Sequence, residues 1–85
     1  MKKKIAILGS TGSIGKSLLS LIRKDKNKEI ILLSANKNYR ELIKQAKEFN
    51  VKNIIISDKK NYDKLKNNNK YKNINIFNSI HQFRF

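Results

Sequence analysis

Gly9-Ser10-Thr11-Gly12-Ser13-Ile14-Gly15 stands directly after the apolar segment Ile5-Ala6-Ile7-Leu8 and directly before a helical pattern. A strand that ends in a glycine-rich turn and re-emerges as a helix is the first half of a βαβ unit, and such turns bind phosphate. Each glycine has its own expected use. Gly9, free of a Cβ, allows the sharp turn at the strand's end. Gly12 lets the backbone come within contact distance of a pyrophosphate, because a side chain there would occupy the phosphate's place. Gly15, one helical turn on, lets the new helix pack closely on the sheet. Free amides of the first turn and the positive end of the helix dipole then form an anion site. Thr11 and Ser13 add hydroxyl donors to it. The whole run, from Gly9 through Ser10, Thr11, Gly12, Ser13 and Ile14 to Gly15, is thus the candidate cofactor loop, with a tight structural turn lacking any ligand as the competing reading. Gly15-Lys16-Ser17 would end a Walker A loop counted from position 10, but Ser10 is not glycine and that motif fails.

Apolar periodicity continues the alternation. A buried first strand is expected over 4–8, since its residues are nearly all apolar. Over 13–23, Ile14, Leu18, Leu21 and Ile22 recur at helical spacing and give one apolar face. A polar turn at 24–28 leads to a second buried strand over 29–34. A helix over 39–49 turns Leu42, Ile43, Ala46 and Phe49 inward and Glu41, Lys44, Lys47 and Glu48 toward water. A third strand over 53–57 precedes Asp58, placed to cap a helix running to about 66. Asn67-Asn68-Asn69 breaks that helix, and 74–77 is a weak fourth strand. Strands alternating with helices imply right-handed crossovers and a parallel sheet. The expected class is α/β, Rossmann-like: a partial, doubly wound parallel sheet of about four strands in the order 3-2-1-4.

Cofactor choice belongs to the end of the second strand. Domains that prefer NAD place a carboxylate there to hold the ribose 2′-hydroxyl. This chain has Ala35-Asn36-Lys37-Asn38 instead. Lys37 would give a charge-assisted bond to a 2′-phosphate, contributing on the order of 1.5–3 kcal/mol of discrimination against NAD. Asn36, Lys37 and Asn38 are therefore the second candidate cofactor-binding group, and NADP(H) the expected ligand. The plain alternative is that Lys37 is one more lysine in a lysine-rich chain.

The string from Lys4 to Gly15 resembles the amino terminus of the 1-deoxy-D-xylulose 5-phosphate reductoisomerase family. Ile31-Leu32-Leu33-Ser34-Ala35-Asn36-Lys37-Asn38 resembles that family's second strand and the loop holding the adenosine end of its cofactor, with Asn36 where the family commonly has glycine. Glu48-Phe49 and the segment from Val51 to Asp58 resemble its second helix end and third strand. The similarity covers roughly residues 2–79, read as a partial NADP-binding domain, and leaves 80–85 as an unassigned tail. The resemblance implies an NADPH-dependent oxidoreductase of non-mevalonate isoprenoid biosynthesis. Such enzymes rearrange 1-deoxy-D-xylulose 5-phosphate on a divalent metal, Mg²⁺ or Mn²⁺, and NADPH then reduces the aldehyde to 2-C-methyl-D-erythritol 4-phosphate. It also implies a homodimer for the full-length enzyme.

Enzymes of that family are several times longer than 85 residues, enough here for one small domain. The family's metal-binding carboxylates, substrate-phosphate residues and flexible loop lie beyond this sequence. A fragment without a catalytic or metal site of its own is expected, its small-molecule substrate handled only by the full-length enzyme. Another NADP enzyme with a similar loop, such as a semialdehyde dehydrogenase, and a nonenzymatic basic binding module are the alternatives. Twenty Lys plus Arg against six Asp plus Glu give a formal charge of +14, which ordinarily points to nucleic acid. The lysines are spread along the whole chain, however, and accompany many Asn and Ile, as translation of an AT-rich coding sequence would produce. No specific nucleic-acid partner is expected. With no cysteine there is neither disulfide nor thiolate metal site. The apolar run after Lys2-Lys3-Lys4 is too short for a signal core or membrane span, so a cytoplasmic, membrane-free protein is expected. His81 has no carboxylate near it in sequence, and Tyr39, Tyr62 and Tyr71 are too scattered for a base-stacking platform.

Overall fold

The structure, a computed structural model, describes residues 2–83. Its elements are β1 (Lys3–Ile7), α1 (Ser13–Arg23), β2 (Lys28–Ala35), α2 (Tyr39–Glu48), β3 (Asn53–Ile56), α3 (Lys59–Lys66) and β4 (Asn75–Phe77). Short 3₁₀ turns occupy Asn69–Tyr71 and Ile80–Gln82. All neighbouring strands pair in parallel. Of the tail expected over 80–85, positions 84–85 lie outside the described residues.

The strand order is β1-β2-β3-β4, which corrects the expected 3-2-1-4. Only Ser57 and Asp58 separate β3 from α3, so α3 stays against β3. The chain then drops beside β3 rather than crossing back past β1. Asn75 fixes the landing: its N–H donates to the Lys52 carbonyl at 2.8 Å and its side-chain amide to Asn53 Oδ1 at 3.0 Å. Three right-handed crossovers that step the same way put their helices on one face, so the sheet carries a single helix layer rather than being doubly wound. An ion pair between Arg23 and Glu48 ties α1 to α2, and the Arg23 guanidinium sits 5.3 Å from the Phe49 ring centre.

This order makes β1 an edge strand, and the expectation of burial fails there: Lys3, Lys4 and Ala6 are exposed, and only Ile7 is buried. The face of α1 expected to be apolar is largely open as well, with Ile22 packed against the core and Ile14, Leu18 and Leu21 exposed. Ile14 is 78% and Leu21 67% exposed, and the helix buries Gly15 and Leu19 instead. The core forms where two layers do meet. Leu33 and Ala35 of β2, Ile54 and Ile56 of β3 and Ile76 of β4 pack against Leu42, Ile43 and Ala46 of α2 and Leu65 of α3. Fully burying a side chain of this size stabilises by about 1.5–3 kcal/mol.

Two local features set the register. Ile5 pairs with Ile30 but Ala6 with Leu32, so Ile31 is an extra residue in β2. The bulge reverses the alternation within the strand: Ile30 faces the helices, and beyond it Leu33 and Ala35 do. At the other end of the layer, Asn50 adopts φ 56° after α2. The Val51 N–H reaches the Ala46 carbonyl at 2.8 Å and the Asn50 N–H the Lys47 carbonyl at 3.4 Å, a Schellman closure that delivers Val51 to the core.

Candidate cofactor-binding site

β1 and β2 run parallel, so the loops at their carboxyl ends emerge side by side at one edge of the sheet. In parallel α/β sheets ligands bind outside the carboxyl ends of the strands. The first loop begins at Gly9, whose φ of +71° is a conformation that side chains rarely adopt. Gly12 has an extended conformation, φ −79° and ψ 173°, and caps α1 with no side-chain hydrogen bond and no acidic residue in the first turn. The donors of that turn therefore have no side-chain partner supplied at the cap. Gly12's own N–H is committed to the Gly9 carbonyl at 3.2 Å, which closes the turn.

The three glycines answer different demands. A Cβ on Gly15 would lie 2.5 Å from both the Gly9 carbonyl oxygen and Ser10 Cα, so a side chain there requires backbone movement. Gly15 thus seats α1 against the loop's own backbone rather than against the sheet. A Cβ on Gly12 would meet only the Gly9 oxygen, at 3.5 Å, and otherwise stand in open space. Neither packing nor backbone conformation requires glycine at position 12. Thr11 is half-buried, Ser13 and Ile14 are exposed, and Ser10 is fully buried.

Ser10 faces inward because two residues that sequence reasoning passed over hold it. The Ser10 N–H donates to the Ser34 carbonyl at 2.9 Å, and the Gly9 N–H to Ser34 Oγ at 2.9 Å. The Ser10 hydroxyl donates to Gln45 Oε1 at 2.7 Å, and Gln45 Nε2 donates to the Ser10 carbonyl at 3.0 Å. A signal for both existed in the sequence: Gln45 is a polar residue three positions after Leu42 in the otherwise apolar row of α2, and Ser34 is a polar residue closing the apolar run Ile30–Leu33.

The second loop is open. Asn36, Lys37 and Asn38 are all exposed. Asn38 caps α2, accepting the Glu41 N–H on Oδ1 at 3.3 Å, and the Asn36 carbonyl accepts from the Asp58 N–H at 3.0 Å. Asn36 does not have a positive φ, so asparagine fits without strain where glycine is common in the family. Among the described residues Lys37 enters no ion pair. The loop's electrostatics are positive: Arg40 and Lys64 lie 5.9 and 5.7 Å from the Tyr39 ring centre, and hydrogen bonding to Arg40 holds the Tyr39 hydroxyl below its usual range.

Acids are spread and engaged elsewhere. Asp25 pairs with Lys28 at 3.2 Å, Asp63 with Lys59 at 3.1 Å and Glu48 with Arg23, while Asp58 caps α3 through the Asn61 N–H at 3.1 Å. Among the described residues no three His, Asp or Glu side chains converge on a common point, and no helix is long and apolar enough to cross a membrane. His81 is exposed in the last 3₁₀ turn, and Tyr39, Tyr62 and Tyr71 pack against the rim of the core.

A sequence profile described as 1-deoxy-D-xylulose 5-phosphate reductoisomerase matches residues 5–82, past position 79, the expected limit of the similarity. The reductoisomerase of Pelagibacter ubique (strain HTCC1062) is 55% identical over 84 residues, 94% of this chain and 22% of that protein. That of Thermodesulfovibrio yellowstonii is 45% identical over 75 residues, 87% of this chain and 19% of that protein. The Zymomonas mobilis reductoisomerase in complex with NADPH superposes with a TM-score of 0.79 at 35% identity, covering 91% of this chain and 21% of the other. A reductoisomerase solved with NADPH, fosmidomycin and magnesium gives 0.80 at 32% identity, covering 94% of this chain and 20% of the other. The chain thus spans about a fifth of the length of these relatives. A profile match over nearly all of its residues, joined to a similar backbone course over 91% of the chain, places this chain in the 1-deoxy-D-xylulose 5-phosphate reductoisomerase family.

Proposed function

We propose that this chain is an NADPH-binding segment of a 1-deoxy-D-xylulose 5-phosphate reductoisomerase, with Gly9–Gly15 receiving the pyrophosphate and Asn36, Lys37 and Asn38 the 2′-phosphate of the adenosine half. The observation that carries the reading is Gly12. Gly9 is accounted for by its φ and Gly15 by close packing, whereas Gly12 is left with open space before it and a helix N-terminus behind it. A pyrophosphate approaching the backbone accounts for the missing side chain. NADPH, when bound, supplies the hydride of the family's reduction step. The chain's own contribution is placement: first-turn amides and the Thr11 and Ser13 hydroxyls hold phosphate oxygens, and Lys37 adds a cation at the adenosine end. Asn38 keeps its side-chain NH₂ as a donor while its Oδ1 caps α2. Family membership displaces the semialdehyde dehydrogenase alternative.

Gly12→Ser tests this with effects of opposite sign. A serine at this cap position offers an acceptor to the first turn of α1, so folding stability should hold or rise within about 0.5 kcal/mol. Its side chain would stand in the phosphate's place. NADPH affinity, read by fluorescence or NMR titration, should fall about tenfold or more, a loss of about 1.4 kcal/mol or more. Unchanged affinity in a folded Gly12→Ser chain rejects the pyrophosphate assignment.

A further inference from the structure

We propose that Gln45 is the positioning residue of the glycine loop: from α2, its side-chain amide clamps the Ser10–Thr11 peptide so that the Thr11 N–H is aimed at the cofactor's pyrophosphate. The inference rests on the NADPH-binding reading above.

Gln45 is only 4% exposed, on a helix face otherwise made of Leu42, Ile43 and Ala46. Burying an amide is costly unless its polar atoms are paired, and packing alone would be served as well by an apolar side chain. Here every group is used. Oε1 accepts from the Ser10 hydroxyl at 2.7 Å, and Nε2 donates to the Ser10 carbonyl at 3.0 Å and to Glu41 Oε2 at 3.3 Å. Two bonds to one residue, one to its main chain and one to its side chain, fix orientation as well as position. The partners lie 35 residues apart in sequence, so this contact exists only once α2 has docked beside the loop.

The consequence follows from the peptide unit. It is planar and trans, so holding the Ser10 C=O toward α2 turns the Thr11 N–H the opposite way, away from α2. Ser34 secures the preceding peptides, with its Oγ accepting the Gly9 N–H and its carbonyl the Ser10 N–H, both at 2.9 Å. Ser10, with no exposed surface, is therefore pinned from β2 and from α2, and the donors beyond it are set before any ligand arrives. Binding then does not have to order the loop, and the ordering cost is removed from the affinity.

The test uses the 85-residue chain, ¹⁵N-labelled, as wild type, Gln45→Met, Gln45→Glu and Ser10→Ala. Met keeps the length and helix preference of the side chain but no polar group, and Glu lacks the NH₂ that holds the Ser10 carbonyl. Each is titrated with NADPH and with adenosine 2′-monophosphate, which carries the 2′-phosphate but no pyrophosphate. In Gln45 variants that retain the wild-type circular dichroism, the Thr11 amide should shift and exchange faster, and NADPH affinity should fall about tenfold. Affinity for adenosine 2′-monophosphate should stay at the wild-type value. Ser10→Ala, which keeps the carbonyl contact, should show a smaller loss of the same kind and serves if the Gln45 variants do not fold. A purely structural role would lower the melting temperature while leaving the Thr11 amide unmoved and the two ligands equally affected, and that result overturns the proposal. If wild type binds neither ligand, the cofactor reading fails, while the Thr11 amide in the folded variants still decides for or against the clamp.

Discussion

Single residues at this site are constrained by quite different forces, and substitution should separate them. Gly15→Ala must displace the backbone of Gly9 or Ser10, since its Cβ would stand 2.5 Å from each, and neither is a flexible side-chain end. It should destabilise the fold by about 3 kcal/mol, the upper part of the usual cost of overpacking, measured by chemical denaturation. Lys37 poses the reverse case. It is exposed and unpaired among the described residues, so Lys37→Glu should leave stability within about 0.5 kcal/mol. It should nevertheless abolish the preference for 2′-phospho-AMP over AMP, a ratio of about tenfold for one charge-assisted bond. Equal affinities of the wild-type chain for the two nucleotides would remove Lys37 from recognition.

Elements differ in how much of them the sequence disclosed. Strand-helix alternation was legible because its signals were local: the continuous apolar run before Gly9, Asp58 before a helix, the apolar spacing in α2. Spatial order was not. Periodicity reports which residues favour burial, but not which neighbour buries them. Thus Ile14, Leu18 and Leu21 repeat at helical spacing yet remain exposed once β1 lies at the sheet's edge. The bulge at Ile31 is hidden for a related reason: Ile30-Ile31-Leu32-Leu33 is apolar on both alternations, so either register satisfies the pattern. Within the site, the glycines announced themselves by spacing, whereas Gln45 and Ser34 act through contacts 35 and 25 residues away. The exposure pattern of α1 makes an element-scale prediction. Leu19→Ala, in the buried row, should cost about 2–4 kcal/mol, while Leu21→Ser should stay within about 0.5 kcal/mol. Comparable losses for the two in thermal melts would mean that the open face of α1 is covered.

At the scale of the whole molecule, a surplus of fourteen positive charges makes the few carboxylates matter for folding. A backbone hydrogen bond from Asn27, then Lys28, lowers the Asp25 pKa, and the hydrogen bond from Arg23 lowers that of Glu48. A carboxyl group depressed in the folded state contributes stability above its unfolded value and loses it as pH falls through the folded one. Stability should therefore be level near neutrality and decline below about pH 4, the ordinary carboxylate range, as both ion pairs are protonated and cationic repulsion grows. Added salt should soften that decline by screening the repulsion.

These same acids bear on catalysis. A divalent metal of the kind the family uses needs several oxygen ligands at fixed positions. Asp25, Glu48 and Asp63 are held by Lys28, Arg23 and Lys59, Asp58 is spent on the cap of α3, and Glu41 accepts from Gln45. Glu29 is exposed near the start of β2, at the opposite end of the strand from the glycine loop. Among the described residues no three acids converge on a metal site, so on the NADPH-binding reading placement of the cofactor and turnover of substrate should separate. The purified 85-residue chain should bind NADPH yet show no oxidation of it, followed at the nicotinamide absorbance, on addition of 1-deoxy-D-xylulose 5-phosphate with Mg²⁺ or Mn²⁺. Substrate-dependent oxidation that scales with chain concentration would mean that carboxylates now seen in ion pairs and caps rearrange around the metal, and would assign chemistry as well as cofactor placement to this segment.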